Sequence, residues 1–167
     1  MSAARASPRW VTMYLRGWSL DGGVRMEVRA AQADDASAIA RLSSQLGYPV
    51  EPAEMALRLA RVRAQRAGEV FIAVAESGDA IGWIHVVPRL QLEEPPHTEL
   101  SGLVVAVSAR GNGVGAALLA AAECWARSAG FTSMRVRSNV VRERAHRFYE
   151  REGYCRVKRQ AVFQKSI

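Results

Sequence analysis

The amino-acid sequence predicts a mixed α/β fold built as a single domain. The chain has 167 residues, 49% hydrophobic and 23% charged, which is enough to bury a core without disulfide bonds. Strand-like and helix-like patterns follow one another in the order β-α-α-β-β-β-α-β-α-β-β, without an internal repeat. A glycine-rich turn stands between an apolar stretch and an alanine-rich stretch. Together these observations favour one mixed α/β domain.

The domain is predicted to cover residues 25–167, preceded by an N-terminal extension at residues 1–24. The extension holds three arginines and one acidic residue, but no continuous apolar stretch like that of a secretory signal. Met26 opens the first strand-like stretch, which raises the hypothesis that translation starts there. No apolar run approaches the ~20 residues of a membrane-spanning helix, and we expect a cytoplasmic protein.

The first half of the chain is predicted to hold a strand, two helices and a hairpin. Val24–Arg29 alternates apolar and charged residues, as a strand does. Asp34 is predicted to cap a helix that ends at Gly47, and Pro52 suits the first turn of a second helix. Ser77-Gly78-Asp79 is a turn signal between two apolar runs. The hairpin strands are Val70–Ala75 and Ala80–Val87.

The second half is predicted to alternate strands and helices. A loop at Pro88–Pro96 leads to the next strand, and Gly130 and Gly153 end the two helices. The predicted helices are Gly113–Ala129 and Glu143–Glu152. The predicted strands are Leu100–Val107, Ser133–Arg137, Tyr154–Arg159 and Ala161–Lys165.

The cysteines, the histidines and the charge narrow the function classes. Cys124 and Cys155 match neither a metal spacing nor a disulfide framework and are predicted to be reduced, buried thiols. The net charge is +7, with ten basic and three acidic residues between Arg135 and Lys165, which suits an anionic ligand. Nucleic-acid binding ranks low because no stacking ladder or motif accompanies these arginines. The histidines, which form no metal-ligand motif, are His85, His97 and His146.

The glycine-rich turn, SARGNGVGAALL at residues 108–119, predicts a phosphate-binding site at the start of a helix. A Walker A loop is excluded because Ala116-Ala117 stands where Lys-Ser/Thr is required. The pattern Gly111-x-Gly113-x-x-Ala116 also satisfies a Rossmann fingerprint. Since Met134-Arg135-Val136-Arg137 lies where an acidic residue would hold the ribose, this alternative suits only a phosphorylated ribose such as that of NADPH.

A third interpretation includes the arginine before the turn, as Arg110-Gly111-Asn112-Gly113-Val114-Gly115. A second motif lies downstream and reads Ala145-His146-Arg147-Phe148-Tyr149-Glu150-Arg151-Glu152-Gly153-Tyr154. In these two motifs and in the order of its elements, the chain resembles the GNAT superfamily of N-acetyltransferases from about Val24 to its C-terminus. The resemblance implies a mostly antiparallel mixed sheet, flanked by helices, with two central parallel strands that splay apart. It also implies acetyl-CoA as co-substrate and no metal.

The resemblance implies where acetyl-CoA binds. The glycine turn wraps the pyrophosphate, pantetheine amides pair with the freed strand edge chiefly at Val105, and Asn139 follows the second splayed strand where related proteins contact the cofactor. The candidate cofactor-binding residues are Leu103, Val104, Val105, Arg110, Gly111, Asn112, Gly113, Val114, Gly115, Ala116 and Asn139.

The resemblance also implies direct acetyl transfer to a primary amine. Tyr149 matches the general acid, since a phenol of pKa ~10 is well matched to a thiol of pKa ~8.5. Glu99 is the predicted base, with His97 second, and strand alternation predicts Glu99 on one side with Ser101, Leu103 and Val105. No covalent intermediate is expected on Cys124.

The acceptor and the assembly are left open by the sequence. Aminoglycosides, polyamines, protein N-termini, lysines and small metabolites all contain a suitable amine, and Glu93 and Glu94 are candidates to attract one. Dimers are common among related proteins, and no membrane partner is expected. Two other functions stay as alternatives: an acyl-CoA-binding sensor of the same fold without turnover, and an NADPH-binding reductase.

Overall fold

A five-stranded mixed sheet organises residues 25–137 in the computed structural model. The structure describes residues 25–45 and 47–167, so the predicted extension at 1–24 and Leu46 lie outside the described residues. The strand order is β1-β2-β3-β4-β5; the first four strands pair antiparallel, and β4 pairs with β5 parallel. The strands are β1 Met26–Ala30, β2 Glu69–Ala75, β3 Ala80–Arg89, β4 His97–Val105 and β5 Met134–Val136. The predicted mixed α/β fold is confirmed.

The helices agree with the predicted ones apart from their ends. They are α1 Ala36–Ser44, α2 Pro52–Ala64, α3 Val114–Ser128 and α4 Glu143–Arg151. The predicted cap at Asp34 is wrong by one residue, because a short 3₁₀ turn places Asp35 at the start of α1. The Asp35 carboxylate accepts hydrogen bonds from Gln32 N at 2.6 Å and from both Arg29 Nη atoms at 2.7 and 2.8 Å. No helix of the described residues is long and apolar enough to span a membrane.

The two faces of the sheet are covered by different helices. On one face α3 packs so closely that a Cβ on Gly82 of β3 would lie 3.0 Å from Leu118 and 3.2 Å from Val114. On the other face, a buried cluster joins Ile39 of α1 and Leu59 of α2 to β2. Residues that pair across a ladder share a face, so each side chain of the central strands can be assigned to one of these two sides.

Strand bounds differ from prediction where β3 meets β4. Pro88 lies within β3 opposite Thr98 rather than opening a loop. Pro88 is beyond Val86, the last β3 residue that pairs with β2, so its missing N–H breaks no bond of that ladder. The β4 strand accordingly begins at His97, three residues earlier than predicted, and ends at Val105.

Residues 138–167 form a second compact unit that contains α4 and a C-terminal segment without strands. The strands predicted at Tyr154–Arg159 and Ala161–Lys165 are therefore wrong. Apolar side chains do alternate there, but they are exposed, and Phe163 is 92% exposed. Alternation produces a strand only where a neighbouring edge supplies hydrogen-bond partners, and this segment makes no ladder with the part of the chain that the structure describes.

Candidate active site

The β4 strand is paired on both sides over its first half only. Its pairing with β5 joins Thr98 to Met134 and ends where Leu100 meets Val136. Its pairing with β3 continues as far as Val105, opposite Gly82. From residue 101 onward no strand of the described chain pairs with β4 on the β5 side, so the two parallel strands part and leave a free backbone edge.

A β-bulge at Ser101 marks the point where the strands part. Gly102 lies opposite His85 and Leu100 lies opposite Val86, so Ser101 is an extra residue in β4. A bulge changes which face the following side chains occupy. Glu99 therefore shares a face with Gly102 and Val104, and its predicted grouping with Ser101, Leu103 and Val105 is wrong.

A hydrogen bond at the end of the β3–β4 ladder shows which backbone groups in the second half of β4 point toward β3. Ala106 N donates to Ile81 O of β3 at 2.9 Å. Because alternate residues of a strand direct their backbone groups to opposite neighbours, Val104 also faces β3. Leu103 and Val105 instead direct their N–H and C=O groups to the free edge. Val104 therefore does not belong to the free edge that is predicted to bind pantetheine. Its side chain is also buried.

The glycine-rich turn follows directly from this edge and begins α3. Gly111 and Gly113 have φ of 86° and 75°, the left-handed region that side chains with a Cβ disfavour, and no atom lies within 4 Å of a Cβ built on Gly111. The first helical bond joins Ala117 N to Gly113 O at 3.0 Å. The amides of residues 114–116 precede that bond and have no partner within the helix. Open space at Gly111 and amides without a helical partner at the positive end of a helix fit a pyrophosphate.

Arg110 connects the turn to the strand. Its side chain is exposed, and its Nε donates to Val105 O at 3.2 Å. Val114, also predicted to contact the cofactor, has a buried side chain, so only its backbone is available.

Glu99 is buried on β4 and held by two arginines. Its side chain is 8% exposed; Oε1 accepts from Arg89 Nη2 at 2.7 Å, and Oε2 lies 3.0 Å from Arg137 Nε. His97, the second candidate base, is buried on the same strand with Nδ1 3.2 Å from Pro95 O. Of the loop acids, Glu94 forms an ion pair with Arg135.

Three polar atoms on β3 were missed by the sequence analysis. Trp83 Nε1, His85 Nε2 and Arg89 Nε are buried and have no hydrogen-bond partner within residues 25–45 and 47–167. Burial, together with the nearby positive charge of Arg89, lowers the pKa of His85. The signal available in the sequence was their spacing, since residues 83, 85 and 89 share one face of a strand whose other positions are apolar.

Tyr149 and Asn139 belong to residues 138–167. Tyr149 lies on α4, with its ring 5.1 Å from that of Phe148 and 5.9 Å from that of Tyr154 in edge-to-face contacts. Burial raises the pKa of Tyr149 to about 12. Asn139 precedes α4, and its Oδ1 accepts a hydrogen bond from Val141 N at 3.2 Å, which fixes a local turn.

The cysteines differ from their prediction in burial. Both are free thiols, but Cys155 is exposed and Cys124 is only half-buried on α3. Cys155 follows Tyr154 in the segment that forms no ladder, and this explains its exposure.

A mixed sheet whose parallel strands part beside a glycine turn is the architecture of an acetyltransferase. The sequence model described as the Acetyltransferase (GNAT) family matches residues 35–154, and the chain belongs to this family.

Relatives and solved structures agree with this assignment. The aminoglycoside N(6′)-acetyltransferase type 1 of Stenotrophomonas maltophilia is 32% identical over 144 residues, which is 84% of this chain and 93% of that protein. The aminoalkylphosphonate N-acetyltransferase of Salmonella typhimurium strain LT2 is 39% identical over 79 residues, 47% of this chain and 51% of that protein. The crystal structure of aminoglycoside N-acetyltransferase AAC(6′)-Iy in complex with CoA has the same fold, with a TM-score of 0.78 and 21% identity over 89% of this chain and 100% of that one.

Proposed function

We propose that this protein transfers the acetyl group of acetyl-CoA to a primary amine of a small molecule. The observation that carries the proposal is that the free edge of β4 leads, within one stretch of chain, into the glycine turn at the start of α3. The similarity to acetyltransferases named for small amines, and a fold shared with a CoA complex, support it.

The free edge and the glycine turn are the groups proposed to hold acetyl-CoA. Its pyrophosphate would accept hydrogen bonds from the amides of residues 111–116, and Arg110 would add a charge-assisted contact. Its pantetheine amides would pair with Leu103 and Val105 as an added strand, so their side chains matter little. Acetyl-CoA supplies an activated thioester, and we place the reaction in the cytoplasm, where that co-substrate is abundant.

Tyr149 is proposed as the general acid. Because burial raises its pKa to about 12, the phenol keeps its proton throughout the pH range in which the enzyme would work. It can then donate that proton to the sulfur as the carbon–sulfur bond breaks. Cys124, on α3, has no part in this direct transfer.

Glu99 is proposed as the base that takes the proton from the acceptor ammonium, directly or through a water molecule. It lies two residues before the bulge, on the last stretch of β4 that β5 still covers. Oε1 already accepts a hydrogen bond from Arg89 and Oε2 is ion-paired with Arg137, so the incoming amine must use the remaining lone pairs. The carboxylate is thereby held in one orientation before the substrate arrives.

Thermal melting with acetyl-CoA, CoA, NADPH and ATP in parallel tests this proposal, followed by thiol release with amines. A ligand specific for the folded state stabilises by about 2.7 kcal/mol at a hundredfold excess over Kd. We expect stabilisation by acetyl-CoA and CoA and amine-dependent thiol release. Stabilisation without thiol release would identify a sensor of the same fold, and stabilisation by NADPH alone would refute acetyl transfer.

A further inference from the structure

We propose that the acceptor is a zwitterionic amine, one that carries a carboxylate, phosphonate or phosphate group close to its amine, and that Arg89 binds this oxyanion while Glu99 receives the ammonium. The inference rests on the proposed acetyl transfer and names its substrate class.

Arg89 is a half-exposed cation whose hydrogen-bonding capacity is only partly used. Its Nη2 donates to Glu99 at 2.7 Å, while its Nε atom is buried and has no partner among the described residues. A guanidinium cannot lose its proton and can only donate, so the unused N–H requires an acceptor. The side chain remains 42% exposed, which leaves it accessible to a ligand. The fork of a guanidinium matches the geometry of a carboxylate or phosphonate.

The neighbouring unpartnered atoms favour the same ligand chemistry. Trp83 Nε1 can only donate, and His85 Nε2 donates or accepts according to its tautomer. Both residues share the face of β3 that carries Arg89. Trp83 lies six residues from Arg89, about 20 Å along the strand, so a small oxyanion bound by Arg89 is within reach of His85 rather than of Trp83. The obligatory donor at Arg89 indicates a ligand with an oxygen acceptor rather than one that presents only ammonium groups.

The charges around Glu99 match a zwitterion. Glu99 is shared by Arg89 and Arg137, so this trio carries one excess positive charge, while the neighbouring Glu94 is neutralised by Arg135. A single ammonium facing Glu99 and one oxyanion facing Arg89 would complete the alternation of charge. Leu100, the residue after Glu99, is the last of β4 to pair with β5, so the amine would stand where the free edge begins.

The chain has no surplus of acidic residues that could bind a polycation. Residues 25–137, which contain the whole sheet, carry twelve basic and twelve acidic residues. Residues 138–167 carry eight basic and three acidic ones. Aminoglycosides present several ammonium groups and need a surplus of carboxylates to bind them. The charge therefore separates this chain from the aminoglycoside acceptor in the name of its 32% identical relative.

Acceptor kinetics with matched amines test the inference. We would compare 2-aminoethylphosphonate and β-alanine with ethanolamine, which lacks the oxyanion, and with kanamycin, a polycation. One or two charge-assisted hydrogen bonds predict a kcat/KM about 10- to 100-fold higher for the oxyanion-bearing amines than for ethanolamine. Preference for the phosphonate over β-alanine, or the reverse, identifies the oxyanion. Equal kcat/KM for ethanolamine and both zwitterions, or preference for kanamycin, would overturn the inference.

The variant Arg89→Gln tests whether Arg89 is the residue that binds the oxyanion. Because Arg89 also holds Glu99, the variant affects every amine, but it is expected to raise KM for the zwitterions about 10- to 100-fold more than KM for ethanolamine, while KM for acetyl-CoA stays unchanged. Arg89→Lys, which keeps the charge but loses the fork, should restore part of the affinity and guards against misfolding. Arg127→Gln is the control, because Arg127 is an exposed residue of α3 that pairs with Glu123 of the same helix. Zwitterion KM values that do not change in Arg89→Gln would exclude the subsite.

Direct binding separates the failure of this inference from the failure of acetyl transfer. If no amine releases thiol, the proposed function fails, but titration calorimetry of 2-aminoethylphosphonate and β-alanine still measures the subsite. Binding that Arg89→Gln abolishes would support the oxyanion site in a protein without turnover. Absence of binding to the wild-type chain, with or without CoA, would refute it.

Discussion

The two halves of β4 have the same secondary structure but offer different chemistry. Thr98–Leu100 is paired on both sides, so its backbone groups are used and only its side chains remain for chemistry. Ser101–Val105 is paired on one side only, so its backbone is the accessible chemistry. Where a sheet opens, one strand can therefore present side chains to an acceptor and main-chain groups to a cofactor.

Substitution of Glu99, in the buried half of β4, should have the largest effect on kcat. Glu99→Gln removes the proposed base and is expected to lower kcat by about 10²- to 10³-fold, the usual contribution of general base catalysis. The KM for acetyl-CoA should not change, since the free edge is intact. Steady-state thiol release measures both values, with thermal melting as a control for folding. A kcat within twofold of the wild-type value would remove Glu99 from the mechanism.

Substitution of Tyr149, the proposed general acid on α4, should act independently of both halves of β4. Tyr149→Phe is expected to lower kcat by about 10²-fold with unchanged binding of acetyl-CoA, because only the proton donor is lost. Since the pKa of Tyr149 is raised to about 12, its phenol stays neutral at lower pH. Wild-type kcat should therefore not decline between about pH 8 and 10 through loss of this proton.

The titration of Tyr149 can be observed directly. The difference in phenolate absorbance between the wild type and Tyr149→Phe should appear only as the pH nears 12. A phenolate that forms near the ordinary pKa of ~10 would contradict the burial of this side chain.

Substitution of the open half should act through the backbone alone. Val105→Pro removes the N–H that faces the free edge but no bond to β3, and is expected to raise KM for acetyl-CoA by about 10-fold, the value of one lost hydrogen bond or slightly more. Val105→Thr keeps the backbone and should leave KM unchanged. An equal effect of the two variants would mean that the side chain, not the edge, binds the cofactor.

The last expected effect is on stability, at Gly102 next to the bulge between the halves. A Cβ on Gly102 would lie 2.8 Å from the ring of Trp83. Gly102→Ala should therefore cost about 1–3 kcal/mol of the free energy of unfolding, as overpacking does. Denaturant unfolding measures it, with Leu57→Ala as a contrast because Leu57 is an exposed residue of α2. Stability equal to that of the wild type would show that Trp83 can move away freely.

The sequence predicted the elements with local signals and missed the features that depend on partners. The glycine turn and the helices were predictable because glycine spacing, capping and periodicity act within one segment. The Ser101 bulge was not predictable, since it depends on the register of β4 against β3. It places Glu99 on a different face of the strand from Leu103 and Val105, contrary to the prediction. The strands expected after Tyr154 failed for the same reason, because no edge pairs with them. The unpartnered atoms of Trp83, His85 and Arg89 likewise exist only in three dimensions.

Residue-resolved amide hydrogen exchange, with and without acetyl-CoA, tests the central claim most directly. We expect slower exchange at the amides of Leu103, Val105 and residues 111–116, and unchanged exchange over Thr98–Leu100, which is already paired on both sides. Protection of the buried half with none at Leu103 and Val105 would contradict the account, because the free edge would then not be the site that binds acetyl-CoA.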